Sequence, residues 1–326
     1  MIFAGGNCEK EGGTSGPDGG VWAEEAYLDG EHGFGGKKKM EMEKITLRHI
    51  SILMIAGKAM ALGWMGWQVY EAQASGGWYA DRFFWICAGV GFLAQLIDGA
   101  LGMAYGVSSS SFLLATGMTP AVASASVHVA ELFTTGASGL SHLYFRNVDH
   151  RLFLRLAIPG MTGSAVGAYL LSDLLDGGVV KPFVAAYLLL LGFVIILKGI
   201  REPLFREEIR RVGWLAFAGG LLDSVGGGGW GPIVTTNIIR KGKTPRLTIG
   251  TVNTVEFFVA LSSAGTFLLF SDLSTWKAIV GLVLGGMLAA PAGAWVVRII
   301  PARRLLLLVG SIIMAVSFAA LWTAVR

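Results

Sequence analysis

The chain has 326 residues, of which 53% are hydrophobic and only 15% charged, and its mean hydropathy is +0.61. Soluble domains carry about a quarter charged residues, so this composition leaves too little polar surface to cover a water-facing globule. The net charge of +4 sits in short basic links between apolar blocks, a pattern that reflects membrane topology and excludes a nucleic-acid footprint.

Residues 1–44 are read as a disordered leader, or as sequence ahead of a natural start at Met40 or Met42, because Gly5 to Gly36 is rich in Gly, Glu and Asp without an apolar period. No basic start followed by an apolar core marks a signal peptide. Residues 45–82 supply one extra transmembrane helix, Ile50 to Val69, and an outer loop. Further apolar blocks run over Pro120 to Tyr144, Phe153 to Leu171, Pro182 to Leu197, Leu247 to Phe270, Trp276 to Val297 and Leu305 to Trp322. Each is long enough, or nearly so, to cross a hydrocarbon core of about 30 Å. Cys8 and Cys87 lie in unlike surroundings and suggest neither a disulfide nor a metal site.

Two stretches are apolar but broken. Phe83 to Gly117 is interrupted by DGALGMAYG, and Trp214 to Ile239 by DSVGGGGWGP. Each is predicted to be a re-entrant pair of half-helices, tolerated in a bilayer only where the open backbone is shielded by protein or lines a cavity.

Displacing the chain by 125 positions pairs Asp98 with Asp223, Gly102 with Gly227, Gly106 with Gly231, Thr119-Pro120 with Thr244-Pro245 and Glu131 with Glu256. Two acidic pairs and a Thr-Pro pair in one register indicate a duplication, with units 83–200 and 201–326. The link before Pro120 reads ATGMT and the link before Pro245 reads RKGKT. Basic links stay in the cytoplasm, so the units enter from opposite faces. The predicted fold is therefore an all-α integral membrane protein built as an inverted repeat. Each unit is a re-entrant hairpin plus three transmembrane helices, the arrangement with which secondary transporters alternate access around a mid-membrane site.

Helix N-termini near Val107 and Pro232 should present free N–H groups at mid-depth, and such ends favour anions. Candidate substrate contacts are Gly102, Gly106, Val107, Ser108, His128, Gly227, Gly228, Trp230, Gly231 and Asn253. Close helix packing is the other reading of the small residues, but two symmetry-related clusters, each beside an acid, favour a site. Glu131 and Glu256 each lie 11 residues past the equivalent Pro, roughly 16 Å along a helix. They are candidates for proton coupling or for structural hydrogen bonds. His128, one turn before Glu131 and matching Asn253, is read either as a substrate or proton contact or as a packed histidine. Asp98, Asp223 and Pro232 are assigned to shaping the breaks. His128-Val-Ala-Glu131 lacks a zincin pattern, GVSSS is no nucleophile elbow, and no ATP-binding motif occurs. No enzyme activity, metal or cofactor is therefore expected.

The runs GFLAQLIDGALGMAYGVSSSSFL with TPAVASASVHVAE, and GGLLDSVGGGGWGPIV with TPRLTIGTVNTVEFF, resemble the TauE/SafE sulfite exporter family of toluene sulfonate uptake permeases. The likeness covers roughly Phe83 to Trp322; the leader and Ile50 to Val69 fall outside it. The resemblance implies ATP-independent transport of sulfite, a sulfonate or a similar anion, usually as export and linked to protons. Expected partners are a small anionic substrate, protons and the lipid bilayer of a bacterial cytoplasmic membrane, crossed many times. A homo-oligomer stays open. Alternatives are another small anion, a metal ion, or a channel.

Overall fold

The computed structural model describes residues 34–74, 80–101, 103–200, 211–239, 245–271, 275–299 and 301–325, and these are helical with no strand among them. In chain order the helices are α1 (Phe34–Ala74), α2 (Arg82–Leu101), α3 (Tyr105–Ala115), α4 (Pro120–Tyr144), α5 (His150–Tyr169), α6 (Gly177–Ile200) and α7 (Val212–Gly226). They continue with α8 (Thr236–Ile239), α9 (Pro245–Phe270), α10 (Trp276–Ile299) and α11 (Ala302–Val325). A π-helical turn, Leu170–Leu174, extends α5, and another, Gly231–Thr235, leads into α8.

The chain forms two compact units, Met1–Thr46 and Leu47–Arg326. In the first, only the start of α1 is described. That start at Phe34 corrects the boundary of the leader, because residues 34–44 are helical. Lys, Met and Glu, which fill KKKMEMEK, are all good helix formers despite the absence of an apolar period. The remainder of the expected leader lies outside the described residues.

Local sequence explains where the helices begin. Thr119 caps α4, its Oγ1 accepting from Val122 N at 3.4 Å, and Pro120 occupies the first turn, where its missing N–H is not needed. Asp149 caps α5 by accepting from Arg151 N and Leu152 N at 2.9 and 3.1 Å. Asp81 caps α2 through Phe84 N at 2.9 Å and also pairs with Lys277 Nζ at 2.6 Å, which ties the start of α2 to the start of α10.

Four described helical segments are long and apolar enough to cross a membrane: Leu47–Ala74, Gly177–Ile200, Leu247–Phe270 and Arg303–Val325. Their outward side chains, such as Ile52, Leu53, Phe183, Leu190, Ile312 and Phe318, are exposed as lipid-facing residues are. Helix α4 is different, being buried almost continuously from Ala123 to Gly136. Its Ser, Thr, His and Glu side chains lower its hydropathy and face protein on every side.

Helix α4 packs against α9, and the two run antiparallel. Ser126 Oγ near the start of α4 meets Thr275 Oγ1, beyond the end of α9, at 3.2 Å. Asn253 Nδ2 donates to Ser138 Oγ at 3.1 Å, and Asp149 N, beyond the end of α4, donates to Thr251 Oγ1 at 2.8 Å. Around this pair, α2 packs on α10, α7 on α5, and α6 on α11. Helix α1 lies against α4 and α9, with Gly57 facing Phe257, and Met54 and Lys58 facing Gly139 and Gly136.

The flanking pairs are held by bare backbone. A methyl group on Gly285 would run into Ala88 O, one on Gly163 into Phe217 O and one on Gly220 into Gly160 O. Such close approach is how membrane helices gain packing energy without a hydrophobic driving force between them. Gly285→Ala should therefore destabilise the protein by about 1–3 kcal/mol through overpacking. Gly89→Ala, whose added carbon would meet nothing within 4 Å, should be neutral or gain up to about 1 kcal/mol of helix propensity. Thermal unfolding of the two variants in detergent checks this, and equal responses would contradict the packing.

Candidate functional site

Each break is organised by its aspartate. Asp98 Oδ1 accepts from Tyr105 N at 3.3 Å, and Asp223 Oδ1 accepts from Trp230 N at 2.9 Å. The two bonds are related by the same 125-position displacement as the sequence. Each carboxylate reaches seven residues forward and takes up an N–H that the start of the following helix leaves open. The helix ends anticipated near Val107 and Pro232 thus begin at Tyr105 and Gly231, and one leading donor of each is engaged by the chain itself.

The arms are unequal. Helix α2 has 20 residues, α3 has 11 and α7 has 15, so the helix before the first break is longer than its counterpart before the second. The run from Phe83 to Ile97 has Gln95 as its one polar side chain and no Pro, and the helix continues through Asp98 to Leu101. Ala104 stands at φ 121° before α3, a conformation costly for a residue with a Cβ, while Gly227 ends α7 at φ 65° without that cost.

The two breaks meet. A Cβ on Gly228 would collide with Val107 N and the Gly106 carbonyl carbon. One on Gly106 would lie 2.9 Å from both Gly227 O and Gly228 Cα, and 2.8 Å from Glu131 Oε1. The carbonyls exposed by the second break find partners among residues 83–200: Ser110 Oγ donates to Gly227 O, Ser124 Oγ to Ser224 O at 2.5 Å, and Tyr187 OH to Gly228 O at 3.3 Å. Trp230 is fully buried and donates its ring N–H to Val252 O at 3.4 Å. Pro232 O accepts from Lys198 Nζ at 2.7 Å, and the same ammonium donates to Thr236 Oγ1 at 2.7 Å.

His128 is wholly buried. Its Nε2 lies 3.2 Å from Asp223 Oδ2, and its Nδ1 lies 2.7 Å from Ser124 O. Glu131, 3% exposed, borders the same point. Ligating atoms of His128, Glu131 and Asp223 fall within 4.8 Å of one another. Three such atoms are one fewer than a closed tetrahedral site uses, and two of them already face each other in a hydrogen bond, so we assign no metal to them. Glu131 is within electrostatic reach of Asp223, Glu256 and Asp98, which makes the centre strongly acidic.

The structure thus brings together Gly106, Val107, His128, Glu131, Asp223, Gly227 and Gly228, with Trp230 and Gly231 immediately beyond. Ser108 lies in the first turn of α3, and its hydroxyl, like that of Ser109, is buried without a hydrogen-bond partner among the described residues. Asn253 does not reach the breaks; its amide goes to Ser138. Glu256 sits on α9 beside Phe257 and keeps partial exposure. Gly102 lies outside the described residues.

Sequence reasoning missed Ser124, Ser110, Tyr187, Lys198 and Lys58. The signal for Ser124 was its place one turn before His128. Past the Ser172 to Gly178 loop the repeat register shifts to 119 positions, pairing Pro182 with Pro301, so Tyr187 has Leu306 as its counterpart and symmetry could not flag it. Lys58 belongs to α1, outside the duplication, yet its stem lies over Gly136, five residues past Glu131.

The profile of the family described as Sulfite exporter TauE/SafE matches residues 87–320. A Bacillus subtilis (strain 168) protein called "Probable membrane transporter protein YtnM" is 44% identical over 246 residues, covering 71% of this chain and 80% of that one. No solved structure matches the chain.

The aspartate caps are open to a direct test. Asp98→Ala strands one buried N–H and should cost about 1–3 kcal/mol. Asp223→Ala strands Trp230 N and also leaves His128 Nε2 without its partner, so its cost should be clearly larger. Denaturation in detergent measures both, and an equal loss would mean the His128 contact contributes nothing.

Proposed function

The chain belongs to the sulfite exporter TauE/SafE family of membrane transporters, and from that premise we propose that it is a proton-coupled secondary transporter of a small sulfur oxyanion or sulfonate, with sulfite the first candidate. It works as an exporter in a bacterial cytoplasmic membrane. No step of this transport needs enzyme chemistry.

The reading treats residues 83–200 and 201–326 as inverted units around a central site. The antiparallel course of α4 and α9 supports it, since these helices start at the equivalent Pro120 and Pro245. Further support comes from contacts at one end of the bundle, where Asp81 pairs with Lys277, Ser126 with Thr275, and Gly177 approaches Thr119 at 3.6 Å from its added Cβ position. These are the links poor in basic residues, which we place outside.

The observation that carries the functional reading is the meeting of the two breaks, Gly106 and Val107 against Gly227 and Gly228, beside Glu131. An inverted-repeat transporter puts its site at such a junction, where broken helices offer polar backbone to a substrate. The unpartnered hydroxyls of Ser108 and Ser109 offer donors of the kind an oxyanion needs. Gly102, Trp230 and Gly231 complete the proposed surroundings, and Asn253, which bonds Ser138 instead, is left out of them.

Proton coupling follows from charge. Glu131, Glu256, Asp98 and Asp223 share the neighbourhood, and an anion entering among ionised carboxylates would be repelled. Protons must accompany it, or leave in exchange, for the site to fill and empty. We assign the coupling to Glu131 in the main, with Glu256 shaping the pocket, because only Glu131 has His128 one turn away.

Purified protein in liposomes tests the proposal. Wild type should exchange labelled sulfite in counterflow and accumulate it under a pH gradient. Glu131→Gln should retain exchange, since the amide resembles the protonated acid, but lose pH-driven accumulation at least tenfold, about 1.4 kcal/mol of coupling. Glu256→Gln should keep part of it. Absence of sulfite and sulfonate exchange in wild type would reject the substrate class, and a Glu131→Gln protein still fully driven would reject the assignment of the proton.

A further inference from the structure

The hydrogen bonds around His128 fix where its protons are. A backbone carbonyl can only accept, so at 2.7 Å from Ser124 O the Nδ1 atom must carry hydrogen. Ser124 Oγ agrees: its own hydrogen goes to Ser224 O at 2.5 Å, which leaves the oxygen, 3.3 Å from Nδ1, able only to accept. With Nδ1 committed, Nε2 has either a lone pair or a second proton. It faces Asp223 Oδ2 at 3.2 Å, and the two side chains are 0% and 4% exposed. If neither atom held a proton, a nitrogen lone pair would oppose a carboxylate in a site closed to water, and no bond would form. One proton must lie between them.

We propose that His128 and Asp223 form a proton-binding site that locks the first unit to the break of the second, and that the described structure is its loaded state. The proposal rests on the transporter reading for its role in coupling, and on the hydrogen-bond geometry alone for the site. Loading takes up one proton, as the pair imidazolium–carboxylate or imidazole–carboxylic acid, which carry the same number of protons. Unloading removes that proton and sets lone pair against lone pair, so the contact opens. Asp223 is also the residue whose other oxygen holds Trp230 N. Release of Oδ2 from α4 therefore frees the start of the helix that follows Gly231 relative to α4, at the junction where the breaks meet.

The lock is one-sided. The position equivalent to His128 is Asn253, which bonds Ser138 and does not face Asp98. Other ionisable groups lie around the pair: Glu131 on α4, Glu256 on α9 and Tyr187 on α6 interact with Asp223, while Asp98 on α2 interacts with Glu131 and Glu256. None of them replaces Asp223 as the partner of Nε2 in this structure.

The test uses the whole protein in liposomes without substrate, read by pH-difference infrared spectroscopy. In wild type, an imidazole band and one carboxyl band should titrate with a common midpoint. Asp223→Asn keeps an oxygen to accept from Trp230 N, so the break survives, but it removes the carboxyl band and should move the imidazole midpoint by about one pH unit or more, a tenfold change in proton affinity. His128→Asn should move the carboxyl midpoint by a similar amount, which reads the same coupling if the first variant folds poorly. Asp98→Asn should leave both bands of the pair in place. An imidazole midpoint unchanged in Asp223→Asn, or a carboxyl midpoint unchanged in His128→Asn, overturns the site. If the bands titrate together while wild type moves neither sulfite nor sulfonates, the transport reading falls and the proton site stands.

Discussion

Open backbone at the middle of a bilayer has no water to satisfy it, and every feature of this centre follows from that constraint. Two helices stop three residues past an aspartate, and in each case the carboxylate turns forward to take an N–H at the start of the next helical segment. Carbonyls left by the second break are covered by Ser110, Ser124 and Tyr187 from the first unit. Glycines bring the breaks into contact, because any side chain at Gly228 would occupy the space of Val107 N. The same residues that solve the backbone problem thereby create a junction lined with polar groups.

Symmetry is strong in the scaffold and weak in the chemistry. The aspartate caps, the α4 to α9 seam and the exchange of flanking helices between units all repeat. Ser126 with Thr275 and Asp149 with Thr251 are contacts at corresponding places in the two halves. His128 against Asn253, Tyr187 against Leu306 and Lys198 against Ser317 break the correspondence at the groups able to carry charge or donate strongly. Ser317 instead donates to Ser111, the counterpart of Thr236. A symmetric frame can present the same path to both faces, while unlike side chains let one proton bias it.

Much of this was legible in the residues. The aspartates, the glycine runs and the 125-position register identified the breaks, because backbone requirements restrict residue choice sharply. The unequal lengths of the helices before the two breaks were not legible, since the Asp98 to Gly106 motif locates the break without telling how long the helix before it is. The partner of His128 was not visible either. Spacing along one helix pointed it toward Glu131, whereas Asp223 arrives from the other unit and enters the site only when α7 folds back. Lys58 escaped notice for a related reason: α1 carries no repeat signal, and only packing puts its stem over Gly136. Contacts made between helices distant in sequence leave no period to read.

The inverted course proposed for the two units would account both for the meeting of the breaks and for the use of one central site, and it is tested most directly by the sidedness of equivalent residues. Thr116 is exposed in the link before Pro120, and Lys241 is its counterpart before Pro245. Single cysteines at these two positions, in protein lacking Cys8 and Cys87, should react with an impermeant thiol reagent from opposite faces of the membrane, Thr116→Cys from outside and Lys241→Cys only after the membrane is opened. Labelling of both from the same face would contradict the account.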